Sequence, residues 1–202
     1  MFVQVVRAKA KDQAGLRKMW EKADQELTPG AIGYLGSTGG LADDGTMVVI
    51  ARFESQDAAR QNSSRPEQTA WFQELLGYVE GDVTFKDCTD VEIQGRGGSD
   101  DAGFVQVIQA RATDRKRLEE LNESFNAEMP SARPDLIGGL TAWHPEGTGW
   151  FTSVNYFTSE SEARENESKE MPPSIKAEFE EWMSLMQDVE YIDLHDPWMS
   201  SP

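Results

Sequence analysis

Ala51–Ser64 reads ARFESQDAARQNSS, and Asn155–Ser168 reads NYFTSESEARENES in step with it. Phe53/Phe157, Ser55/Ser159, Ala59/Ala163, Arg60/Arg164, Asn62/Asn166 and Ser64/Ser168 align without a gap. Each copy ends an apolar run and continues through a serine suited to cap a helix, so each marks the same strand-to-helix junction. A junction that occurs twice predicts two successive modules of one design.

Reading outward from the first copy, Thr46–Phe53 is almost continuously apolar and predicts a central strand. Phe2–Ala8 predicts the first strand, and Asp12 is placed to cap the helix that follows. Leu16, Met19, Trp20, Ala23 and Leu27 form one apolar stripe, which Pro29-Gly30 stops. Ile32–Leu35 begins a second strand, with Gly39-Gly40 and Asp43-Asp44-Gly45 read as the turn into the third. Arg65-Pro66 breaks the next helix, Trp71–Val79 resumes it, and Val83–Ile93 reads as one closing strand. The order is β-α-β-β-α-β, the ferredoxin-like unit.

The second copy repeats that order. Phe104–Leu118 matches Phe2–Leu16 at eight of fifteen positions. Its helix stripe runs Leu118, Leu121, Asn122, Phe125, Met129, with Asn122 as the one polar intrusion, in the place of Trp20. Ser159 with Glu162 predicts a capping box, and Trp143-His144 reads as an exposed hairpin tip or a contact surface. The expected domains are residues 1–94, a Gly/Asp-rich linker 95–103, and residues 104–197.

A unit of this order whose third strand ends Phe53-Glu54-Ser55-x-x-Ala58, before a helix broken at Pro66, resembles the antibiotic biosynthesis monooxygenase family of the dimeric α/β-barrel superfamily. The resemblance implies an α+β fold of tandem ferredoxin-like repeats that form an intramolecular dimeric α/β barrel. It also implies either a monomeric pseudo-dimer or a homodimer of such chains. Cofactor-free oxygenation of an aromatic or polyketide-like molecule is the activity that it suggests. The rival is a non-catalytic barrel that binds a small molecule or serves in stress. The haem-degrading branch places a tryptophan and a haem-ligating histidine on the helix after the third strand. Those positions hold Asn62 and Trp71 here, and no cofactor is expected.

Composition narrows the partners. A net charge of −17 over 202 residues repels nucleic acid and anionic membranes. A small molecule remains the expected ligand. Cys88, the single cysteine, lies in an apolar run and reads as a buried inert thiol. The opening MFVQVV lacks a basic, long apolar leader, and no stretch approaches about 20 apolar residues, so the cytoplasm is expected. The two histidines, His144 and His195, have no metal-ligand spacing.

Three residues are candidates for the site. Arg60 and Asn62 recur in register, and a guanidinium with a carboxamide beside a pocket polarises a carbonyl or phenolate oxygen. The competing reading is structural: Asn satisfies loose backbone groups at a helix break. Trp71 lies off the core register of its helix, facing either a ligand cavity or an interface. Tyr34, Arg52, Asn155 and Tyr156 are further strand residues with a claim on a cavity.

Overall fold

In the computed structural model the described residues are 1–170 and 173–202, without the side chains of 127–131 and 173–175. The side chain of Met129, the end of the second helix stripe, and Pro172, which with Pro173 is expected to take the place of the Pro66 break in the second copy, therefore lie outside the described residues. The chain runs β1 (Phe2–Ala10), α1 (Gln13–Glu26), β2 (Tyr34–Leu41), β3 (Thr46–Phe53), α2 (Gln56–Ser63), α3 (Pro66–Leu75), β4 (Val79–Cys88) and β5 (Asp90–Gly95). It continues β6 (Phe104–Ala112), α4 (Arg115–Ala132), β7 (Leu136–Trp143), β8 (Trp150–Phe157), α5 (Glu160–Glu167), α6 (Pro173–Ser184), β9 (Met186–Leu194) and β10 (Trp198–Ser200).

Two five-stranded sheets result, ordered β10-β2-β3-β1-β4 and β5-β7-β8-β6-β9. The fold is α+β and ferredoxin-like in each sheet. The first unit comprises Met1–Val91 with Leu194–Pro202, and the second Glu92–Asp193. In the first sheet β3 is central, as its apolar run requires, and pairs antiparallel with both β1 and β2.

Helix boundaries follow from side-chain chemistry. The Asp12 carboxylate accepts from the Gly15 N–H at 2.9 Å, capping α1. Ser55 caps α2 by accepting from Ala58 N–H at 3.1 Å, and Ser159 caps α5 by accepting from Glu162 N–H at 3.2 Å. Glu162 Oε2 accepts the Ser159 hydroxyl at 3.1 Å, so the expected box closes through hydroxyls. Pro66 opens α3, where its missing N–H costs nothing. The repeated phenylalanines anchor the junctions: Phe53 packs with Phe2 and Ala59, and Phe157 with Phe104 and Ala163.

Three strand expectations are corrected. Val83–Ile93 is two strands, because β4 ends at Cys88 and β5 joins the second sheet beside β7. Gly39 and Gly40 lie inside β2, and the turn falls at Ala42–Gly45. Their glycines serve packing: a Cβ on Gly39 would sit 2.6 Å from the Trp20 ring, and one on Gly40 3.3 Å from Leu194. Trp143 is no exposed tip; it is 3% exposed, with Nε1 donating to Glu92 Oε1 and the Arg115 guanidinium 4.3 Å from its ring centre. Cys88 is buried as expected. No helix among the described residues is long and apolar enough to cross a membrane.

Candidate functional site

The helix-facing side of the first sheet carries Gln4, Val6 and Ala8 of β1 opposite Ala51, Val49 and Met47 of β3. Ala8 and Met47 pack under Leu16 and Met19 of α1, completing the core at one end. Between that end and Phe53 the floor drops to Gln4, Val6, Val49 and Ala51, with Phe85 beside Val6 and its ring 5.8 Å from that of Phe72, while the roof is built of broad rings, Trp20 from α1 and Trp71 and Phe72 from α3. Small residues below and rigid rings above cannot close on one another. A cavity of about 390 Å³ remains, within the range of small-molecule sites.

The roof is fixed by one hydrogen bond. Trp71 Nε1 donates to the Met19 carbonyl at 2.8 Å, which restrains the ring where it lines the cavity. At one edge stands Asn62, 6% exposed. Its Oδ1 accepts from Ile32 N–H at 3.1 Å and from Arg65 Nη1 at 2.9 Å. Those two donors fix the carboxamide orientation and leave Nδ2 as its remaining hydrogen-bonding group. Arg65 is itself held, donating to the Leu27 carbonyl at 3.2 Å and to Glu67 Oε1 at 2.8 Å.

A polar end faces the apolar walls. Tyr34 and Ser37 share a hydroxyl hydrogen bond, and the Tyr34 hydroxyl donates to the Ser200 carbonyl at 3.4 Å. Ser200 Oγ donates to Asp24 Oδ1 at 2.6 Å and lies 3.3 Å from Thr28 Oγ1. Burial raises the Tyr34 pKa above its ordinary value, against the hydrogen bonds to Ser200 and Ser37, which lower it. On the floor Gln4 Nε2 donates to Asp87 Oδ1 at 2.8 Å.

Of the three sequence candidates, Asn62 and Trp71 share this cavity and Arg60 does not. The Arg60 side chain is 70% exposed, with Asp57 Oδ1 as a neighbour at 3.8 Å. Tyr34 also lines the cavity; Arg52 stands on the other face of β3, and Asn155 and Tyr156 belong to the second unit. His144 is hydrogen-bonded to Thr152, and His195 lies 3.4 Å from Asp43, both outside the cavity. Sequence reading missed Arg65, Asp24 and Ser200. The first was visible only as the residue before a helix-opening proline, and the others carried no signal beyond a polar residue near an apolar stripe.

The second unit holds a cavity of about 300 Å³ between α4, α6 and its sheet. The intrusion at Asn122 has a purpose there, since its Oδ1 accepts from Trp182 Nε1 at 2.9 Å. Asn166, the counterpart of Asn62, bonds locally to the Glu162 carbonyl and to Lys169 instead.

No family model matches the chain, and no curated protein matches it. Solved structures do. A candidate monooxygenase from Fusobacterium nucleatum superposes with a TM-score of 0.82 at 10% identity, over 99% of this chain and 94% of that one. The chain has a monooxygenase-like fold. A candidate monooxygenase from Lactobacillus acidophilus gives 0.77 at 13% identity, over 99% and 95% of the two chains. An anthrone oxidase-like protein gives 0.67 at 10% identity, over 100% and 94%. This is the likeness that Phe53–Ala58 and Pro66 carried in the sequence, and at such identities the monooxygenase-like fold is what the likeness conveys.

Proposed function

We propose that the first unit binds an aromatic or polyketide-like molecule and oxygenates it with dioxygen, without a cofactor. The observation that carries this reading is the cavity of about 390 Å³ with Trp20, Trp71 and Phe72 above a floor that includes Val6, Val49 and Ala51, and the buried Asn62 amide at its edge. A planar ring stacks against those walls. Asn62 Nδ2 donates to the ring oxygen as negative charge gathers there, a service preorganised by the two donors on Oδ1. At the opposite end the Tyr34 and Ser37 hydroxyls, bonded to one another, form the polar wall that the ligand meets. The bound phenolate or enolate passes one electron to dioxygen, and the radical pair joins as a carbon-bound peroxide. Loss of water from that peroxide leaves a carbonyl. Two substrate C–H hydrogens and one oxygen atom leave as water, and the other oxygen stays on the substrate. Trp71 excludes bulk water and holds the ring; Arg60 takes no part, being outside the cavity.

Similarity in fold to an anthrone oxidase-like protein supports anthrone-type tricyclic ketones as the first substrates to test. The assay is dioxygen uptake with anthrone, for the native chain and for Asn62→Asp and Trp71→Phe. Uptake that falls in both variants supports the reading. Undiminished uptake in both sinks the site assignment.

A second reading, ligand binding without chemistry, is favoured by the two structural bonds of Asn62 Oδ1 to Ile32 and Arg65. Saturable anthrone binding with no dioxygen uptake would establish it.

A further inference from the structure

The cavity of the second unit differs from the first in its mouth. The segment that follows β5 turns back at Gln94–Gly97, closed by the Gly97 N–H on the Gln94 carbonyl at 3.0 Å. That turn rests directly on Gly138 of β7, where a Cβ would meet the Arg96 backbone nitrogen at 2.8 Å. Gly138 thus lets the turn seat itself against the sheet, and the seat fixes the backbone from which Arg96 reaches the cavity. Arg96 is exposed, and no carboxylate among the described residues pairs with it. In a chain with 36 acidic and 19 basic residues, an arginine with no acidic partner at a cavity mouth stands out. Asn126, on α4, lines the same mouth.

Deeper in, the walls are apolar: Leu118, Phe125, Leu136 and Phe151, with the Trp182 ring held by Asn122. Gln94 Nε2 donates to Thr141 Oγ1 at 2.9 Å, so the polar inner face is already internally bonded. The site therefore offers a ligand one unmet cationic fork at its rim and an apolar bed behind it. A planar fork of this kind matches a carboxylate through two N–H···O bonds.

We propose that the second unit binds a small monocarboxylate with an aromatic or alkyl body, its carboxylate on Arg96 and Asn126 and its body against Phe125, Phe151 and Trp182. The proposal is independent of the oxygenation reading, which concerns the other cavity. The net charge of −17 repels anions from the molecule at large, so selection for a carboxylate must come from Arg96 locally.

The probes are 2-naphthoate and its neutral counterpart 2-naphthamide, followed by the indole N–H resonances of the intact 15N-labelled chain, with the Trp182 signal assigned from Trp182→Phe. Naphthoate is expected to shift the Trp182 signal and to bind about tenfold more tightly than the amide, and Arg96→Gln to abolish that preference. Arg96→Lys is expected to restore part of it, since the charge returns without the fork. Equal affinity for the two probes, a preference unchanged by Arg96→Gln, or shifts confined to Trp20 and Trp71 would each overturn the proposal. The last result would put the ligand in the first cavity and leave the oxygenation reading standing.

Discussion

Trp71 Nε1 donates to the backbone carbonyl of Met19 at 2.8 Å, tying α3 to α1 over the cavity. The Met19 carbonyl is also the natural acceptor of a helix hydrogen bond, so the indole is a second donor to it. Trp71→Phe should cost about 1 kcal/mol in urea unfolding, the net worth of one such bond. The larger effect should fall on anthrone binding and dioxygen uptake, because an untethered ring no longer fixes the roof. A loss of stability with ligand affinity unchanged would mean that Trp71 serves packing alone.

Asn62 has separable duties. Asn62→Ala removes the acceptor for Ile32 N–H and Arg65, and a buried donor left unmatched should cost about 2 kcal/mol. Asn62→Asp keeps that acceptor beside the Arg65 guanidinium, exchanges the Nδ2 donor for an acceptor and adds a negative charge that Arg65 offsets. Its urea midpoint should therefore lie near that of the native chain while dioxygen uptake falls. Uptake that survives in the aspartate variant would return Asn62 to a purely structural role.

Tyr34 predicts an alkaline limb. Burial raises its folded pKa above the ordinary value of 10.0, so above that pH the unfolded chain gives up the proton more readily. The tyrosine's contribution is complete below pH 10 and declines as pH climbs toward its folded pKa. Tyr34→Phe should flatten the fall in stability measured above pH 10. An identical slope in the two proteins would show that Tyr34 does not set it.

Asp44 predicts an acid limb. The Thr46 N–H at 2.8 Å and the Thr46 hydroxyl at 2.9 Å, with Lys9 beyond, push its pKa from 3.8 down to about 2. Stability from this turn is present above pH 3.8 and is lost as pH falls through about 2. Exposure makes the effect small. Asp44→Asn should reduce the acid slope of the unfolding midpoint between pH 4 and pH 2.

The legible parts of the fold were those where one residue type has one local job. Asp12, Ser55, Ser159 and Pro66 mark helix ends wherever they occur in such contexts, and β3 announces its central place by its apolar run. Arg60 shows where such reasoning fails. Its counterpart Arg164 pairs with Glu160 and Glu167 on its own helix and with Asp193, and it lies 5.1 Å from the Phe104 ring centre. The corresponding positions beside Arg60 are Gln56 and Ser63, so the same letter in the same register meets different partners. The recurrence carried the junction and not the chemistry. Thr89 gave no sign that the chain changes sheets, since neither glycine nor proline stands there. A strand of three residues such as β10 has no period to read; Trp198 packs 5.7 Å from Trp20, centre to centre, and that distant contact is what defines it.

That short strand gives the protein a schedule. Synthesis delivers β2 early and β10 only after all of the second unit has emerged, yet Trp198 must pair with Gly39 and Ser200 must reach Asp24. The nascent first unit can form its four-stranded sheet and its α1–α3 packing beforehand, but not the Ser200 end of its cavity. Closing so long a loop comes late for entropic reasons as well. The Ser200 end of the cavity is thus expected to form after the scaffold around it, later than the bulk of the helix and strand signal.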